Sequence, residues 1–224
     1  MRHEAPYGGA AGRCVPAARV RPLITAWSSE RGRPVTLTTR GSGLGYADED
    51  AYDRDRDGIL WRRVGISPGK GRPTFGTVHS IRQRRAMQRV LCQVCSDTMK
   101  DDPEGVLWLM GTDEYEQDPW PAPIDTPHPP ICLPCAELSI RACPFPRTQY
   151  TALRVTRYHL SAVYGALHQP GLLGPEPIDV CSVALDDPRA RWMQASQLLT
   201  RLTEYRVVDL DAEIGAYRKE RRRR

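Results

Sequence analysis

The chain has 224 residues, a formal net charge of +5 and 40% hydrophobic residues, with 20 prolines, 18 glycines and only two phenylalanines. This suffices for one large or two small domains around a thin core, and it excludes a membrane-spanning helix, because no apolar run approaches the roughly 18 residues a span requires. Arg221 to Arg224 supply four of the five net charges, so the layout says more than the sum: Ala47 to Asp57 holds six acids and two arginines, Gly58 to Ser96 eight basic residues and no acid, and Asp97 to Asp118 eight acids and one lysine.

Residues 1–22 are rich in Gly, Pro, Ala and Arg without periodicity and are expected to form a flexible arm. They lack the continuous apolar core of a signal peptide. Seven cysteines, four of them in metal-binding spacing, fit a reducing cytoplasm better than a disulfide framework.

Residues 23–76 are expected to be β-rich. The runs Pro22–Trp27 and Pro34–Arg40 are β-branched and suggest a hairpin with each other. Gly41 to Gly45, "GSGLG", is read as a turn, since the lysine and hydroxyl of a phosphate loop do not follow it. Asp53, Asp55 and Asp57 occupy the first, third and fifth ligand positions of a calcium loop, but Val64 stands where a bidentate Glu is required. An acidic turn leading into a strand is the competing reading. Gly69 to Gly76 is a glycine-rich basic loop.

Residues 77–146 carry the organising motif: two Cys-x-x-Cys pairs, Cys92/Cys95 and Cys132/Cys135. Two cysteines three positions apart can wrap one ion, and two such pairs supply the four thiolates of a closed tetrahedral zinc site. The segment from Thr77 reads as a helix entering the first pair, with Thr77 or Ser80 as N-cap. Arg82, Arg85 and Arg89 fall on one of its faces. Between the pairs, Gly105 to Gly111 reads as a strand of a hairpin, with the acidic segment 112–118 as a turn or its exposed return; a solvated basic helix face, a phosphate-contacting one, and one masked by the acidic loop 97–118 folding back on it are the competing readings. Ala136 to Ile140 reads as a helix ending near Cys143 and Pro144. Cys143, like Cys14 and Cys181, is expected to pack as a small hydrophobe.

A knuckle, a hairpin and a Cys-x-x-Cys opening a helix resemble a treble-clef zinc finger in order. The same stretch of about 60 residues resembles HNH-type nucleases in its two pairs. That resemblance implies a catalytic histidine in the hairpin region and further His or Asn ligands. His128 lies in "TPHPPIC" without a preceding Asp, and the helix "AELSIRA" carries neither His nor Asn. The Pro-Cys-x-x-Cys element of zinc deaminases is approached by "PICLPC", yet His79 lacks the Glu that such chemistry needs.

Residues 147–217 are expected to form an α+β segment: one or two strands in "QYTALRVTRYHLSAVYGAL", a strand from Ile178 to Leu185, and a helix over "DDPRARWMQASQLLTRLTEY". In that helix Asp187 would be the cap, Pro188 the first residue, and Trp192, Ala195, Leu199 and Leu202 the apolar stripe. Val207, Leu210, Ile214 and Tyr217 suggest a last helix or a continuation of the same one, ending in the basic tail 218–224.

The expected fold is therefore α+β, with a treble-clef-like zinc module embedded between a β-rich N-terminal segment and an α/β C-terminal one. The expected function is non-enzymatic: one structural Zn²⁺ at Cys92, Cys95, Cys132 and Cys135, and DNA or RNA contacted by Lys70, Arg72, Arg82, Arg84, Arg85 and Arg89. The alternatives are a protein-protein adaptor with a purely structural zinc and a degenerate or divergent HNH-type nuclease.

Overall fold

The computed structural model describes residues 22–99, 102–112, 115, 121–142 and 150–223. From the N-terminal side, β1 (Thr25–Trp27), β2 (Leu37–Arg40), β3 (Gly43–Tyr46), β4 (Leu60–Trp61) and β5 (Pro73–Val78) precede helix α1 (Ser80–Arg89). Strands β6 (Val106–Gly111) and β7 (Ile124–Thr126) lie between the cysteine pairs, and helix α2 (Leu133–Ala142) begins at the second. Strands β8 (Tyr150–Gln169), β9 (Glu176–Ala184) and β10 (Met193–Val208) and helix α3 (Leu210–Arg221) follow. The protein is mixed α+β, and no helix among the described residues is long and apolar enough to cross a membrane.

The scaffold is the antiparallel pair β8 and β10, in register from Met193↔Leu167 to Val208↔Ala152. The β-branched and aromatic residues of β8, Tyr150, Thr151, Val155, Thr156, Tyr158, Val163 and Tyr164, suit a long pleated surface. Each long strand carries two short ones in tandem on its outer edge. On β8 these are β6 and β9, both antiparallel; on β10 they are β4, parallel, and β7, antiparallel.

β10 replaces the helix expected over the same residues. Asp187 does act as a cap, accepting from the Arg189 N–H at 2.8 Å, and Pro188 does take the first position, but the result is a five-residue 3₁₀ turn, Pro188–Trp192. The stripe that reads as helical comes from a bulged strand. The pairing skips Ser196 and Thr203 on β10 and Ser161 and Thr156 on β8, so β10 itself is bulged twice, and each of its two bulges displaces its alternation by one residue. Buried Ala195, Leu198, Leu199, Leu202 and Tyr205 thus recur at intervals of three and four, although the backbone is extended.

The N-terminal hairpin is also paired differently from the sequence expectation. β1 pairs with β5, and β2 pairs with β3 across a turn at Gly41, whose φ of 58° favours glycine. The "GSGLG" stretch is therefore a turn and the strand after it. A Cβ at Gly43 would fall 2.5 Å from the Arg191 carbonyl oxygen, so the missing side chain lets this hairpin lie against the 3₁₀ turn.

Helix α1 starts from His79, which makes no side-chain cap, rather than from Thr77 or Ser80; Thr77 belongs to β5. It ends at Val90 in the left-handed region, φ 53°, which turns the chain sharply into the first cysteine pair. The largest core joins Leu107, Trp108, Leu153, Val155, Leu202 and Tyr205 of the sheet to Ile140 of α2 and Leu210 and Ile214 of α3, and it includes Cys92 and Cys135. A second core gathers Ile59, Trp61, Met87, Val163, Leu167, Met193 and Leu198.

Candidate metal centre

The first cysteine pair sits in a tight turn that its own backbone closes. The Cys92 N–H donates to Asp97 O at 2.8 Å, Ser96 N–H to Cys92 O at 3.0 Å and Met99 N–H to Val90 O at 2.9 Å. Ser96 carries the positive φ of 71° that lets the chain double back. The second pair is brought to it by the extended approach that Pro129 and Pro130 impose. There Gln93 N–H donates to Pro130 O at 2.8 Å and Ile131 N–H to Leu107 O at 2.9 Å, so this approach is held between the knuckle and β6. Cys132 then stands just before α2 and Cys135 lies in its first turn, where the helix N-terminus favours thiolate charge.

The four sulfurs, Cys92, Cys95, Cys132 and Cys135, all lie within 4.8 Å of one another. Cys95 Sγ is 3.7 Å from Cys132 Sγ. A disulfide would bring sulfurs to about 2.05 Å. A tetrahedron with metal–sulfur bonds of about 2.3 Å has edges of about 3.8 Å, so this separation fits one shared ion. Cys92 and Cys135 are buried, Cys132 is intermediate and Cys95 is exposed, which leaves one corner open to solvent. Crowded together, the four thiols cannot all ionise freely. Hydrogen bonds from the Cys132 and Cys135 thiols hold Cys92 far below the ordinary cysteine range, while burial pushes Cys95 up to about 12. A divalent ion removes that conflict by letting every sulfur ionise. Among the described residues this is the one group of three or more His, Cys, Asp or Glu side chains gathered closely enough to hold a metal.

Other sequence candidates are placed differently. Asp53 is bound by Arg63 at 2.8 and 2.6 Å. Asp55 accepts from the Asp57 and Ile59 N–H groups and from Trp61 Nε1. The carboxylates are thus turned to separate partners, and this is an acidic turn leading into β4. His128 lies in a turn, its N–H donating to Thr126 Oγ1 and its carbonyl accepting from Trp108 Nε1 at 2.9 Å. Cys143 and the acidic positions 113, 114, 116 and 118 lie outside the described residues. Of the acids nearer the knuckle, Asp102 pairs with Arg154 and Glu104 with Arg206, both on the sheet rather than on α1. The strand expected between the cysteine pairs forms as β6, and its partner is β8 from beyond the second pair.

The six basic candidates separate into two groups. Arg82 is drawn into the fold: it forks onto Glu30 at 2.7 and 2.6 Å and donates to the Leu23 and Thr25 carbonyls. Arg84 lies over the Trp61 ring, 4.5 Å from its centroid, and burial lowers its pKa. Lys70, Arg72, Arg85 and Arg89 are exposed. Sequence reasoning missed the neighbours of Lys70 and Arg72. Loop 28–33 interlocks with loop 65–72: Ser29 Oγ donates to Lys70 O at 2.8 Å, Ser28 N–H to Arg72 O at 2.9 Å and Gly65 N–H to Arg31 O at 3.1 Å. Arg31 and Arg33, on the first of these loops, and Arg62, which precedes the second, are exposed as well. The signal for the last was present, since Arg62 belongs to the acid-free block, but nothing local tied Arg31 and Arg33 to it. No protein-family model, curated protein or solved structure matches the chain.

Proposed function

We propose that the four cysteines hold one Zn²⁺ as a structural ion and that the protein is a non-enzymatic binder of nucleic acid. Four thiolates in a closed shell are the donor set of structural zinc. The knuckle followed by a Cys-x-x-Cys opening a helix supports a treble-clef-like module whose strand is borrowed by the main sheet. The binding surface is the pair of interlocked loops, not α1 alone. One observation carries this reading: Arg31, Arg33, Lys70 and Arg72 are exposed on those loops and Arg62 just after β4, and none of them makes an ion pair among the described residues. Unpaired cations so placed would bind phosphates and position a strand without reading its bases.

The test is binding of a short oligonucleotide across a salt series. Affinity should fall linearly on logarithmic axes, and K70E/R72E should weaken it evenly across sequences while flattening the slope by about 0.7 to 0.9 for each phosphate no longer neutralised. An affinity indifferent to salt and to K70E/R72E would contradict the reading. A protein partner is the second reading, favoured by Leu172 and Leu173, which are 98% and 99% exposed where β8 turns into β9.

A further inference from the structure

Loop 32–35, the exit of β4 and the start of β10 form an open cavity of about 360 Å³ lined by Arg33, Pro34, Val35, Arg62, Arg63 and Gln194. Its three guanidiniums are not equivalent. Arg63 is neutralised by Asp53 at 2.6 Å and Asp48 at 2.9 Å, and it lies 4.4 Å from the centroid of the Tyr46 ring. Arg33 and Arg62 carry no ion pair and no side-chain hydrogen bond among the described residues. Arg62 is nonetheless positioned: its N–H donates to Ala195 O at 2.8 Å. Gly32 also leaves room for its head, since a Cβ there would sit 3.3 Å from Nη2. On the facing strand Gln194 donates from Nε2 to Tyr46 Oη at 3.0 Å, and Tyr46 donates on to Trp61 O at 3.0 Å. That chain fixes the amide and leaves its oxygen as an acceptor.

Two unpaired forks lining one cavity match the oxygens of a dianionic phosphate better than a single carboxylate or a point anion. Pro34 and Val35 supply an apolar wall, and the Gln194 oxygen suits a donor carried by the same ligand. The volume is that of a small-ligand site. We infer that this cavity binds a nucleoside monophosphate unit, with its phosphate on Arg33 and Arg62 and its sugar or base donor on Gln194. The inference rests on the nucleic-acid reading only for choosing a nucleoside over another phosphate ester. A free nucleotide and the phosphorylated end of a strand share this chemistry.

Calorimetric titration of the full chain with AMP and with CMP tests it, with adenosine as the control. At least one nucleotide should bind and adenosine should not. R62Q should weaken the binding about tenfold or more, as loss of a charge-assisted fork does, and R33Q/R62Q should abolish it with the folded circular-dichroism signal unchanged. K70E/R72E should leave it intact. Failure of both nucleotides to bind the wild type, or equal binding by R33Q/R62Q, would overturn the inference. An oligonucleotide with and without a 5′ phosphate separates the sources: a gain from the phosphate that R62Q removes identifies a strand end, and no gain identifies a free nucleotide. The surface reading fails on different data, an oligonucleotide affinity indifferent to salt and to K70E/R72E, whatever the nucleotide titration shows.

Discussion

Glu30 decides what Arg82 does. Its carboxylate is fully buried and accepts from Trp27 N–H, Ser67 N–H and both terminal nitrogens of Arg82. Burial acts to raise its pKa, but the hydrogen bonds and charge of Arg82 and the two backbone donors outweigh it, and the value falls from 4.5 to about 2. A carboxylate held below its unfolded value stabilises the protein above pH 4.5, and that contribution is lost as pH falls from 4.5 toward 2. Buried His79, whose Nε2 lies 3.0 Å from Gly65 O, is held below 6.5 by burial, so acid begins to weaken the same corner as pH drops through 6.5. Glu30→Gln should therefore cost about 3 kcal/mol in urea unfolding at pH 7, because it leaves Arg82 unpaired, and the difference from wild type should shrink as pH is lowered through 4 toward 2. An Arg82→Glu variant would measure folding and not partner affinity, which is why Lys70 and Arg72 are the residues to reverse. The sequence exposes Arg82 as part of a basic stripe; only the fold reveals that a residue 52 positions earlier neutralises it.

Among the elements, β10 and Arg154 carry the most consequence. The bulges of β10 make its burial pattern imitate a helix, and a cap and an N1 proline just before it add to the imitation. What the local signals lack is the partner. β8 offers a 20-residue edge, and pairing along it outweighs any helical preference in residues 193–208. Leu202, fully buried in that strand, should cost about 3 kcal/mol when cut to Ala, read by chemical denaturation. Arg154 joins three elements. Only 4% of its side chain is exposed, yet it binds Asp102 at 2.6 Å, Gly105 O at 2.7 Å and Glu213 at 2.7 Å. It thereby ties the loop after the knuckle and helix α3 to β8. Arg154→Met strands both carboxylates and should destabilise by about 3 kcal/mol, and adding Glu213→Leu should recover part of the loss. No recovery would mean that Glu213 is not the partner that matters.

At the scale of the molecule, the cysteine site was legible because its chemistry is local: two residues three apart, twice, and a helix opened by the second pair. The route between the pairs was not. Strands β6 and β7, which lie between them, pair with β8 and β10 from beyond the second pair, so the segment that joins the two cysteine pairs is held by the main sheet. The same non-local choice sent β1 to β5 instead of to β2. Cys92 and Cys135 of the cluster belong to the core that holds Trp108, Leu153 and Leu202, so loss of a metal bound there should be felt across the sheet. Metal content by mass spectrometry on the purified protein and on a Cys92→Ser/Cys132→Ser variant, with circular dichroism before and after chelation, tests this most directly. The expected result is one zinc per chain in the wild type, none in the variant, and loss of folded signal in both the variant and the chelated protein; a metal-free wild type whose fold is indifferent to chelation would contradict it.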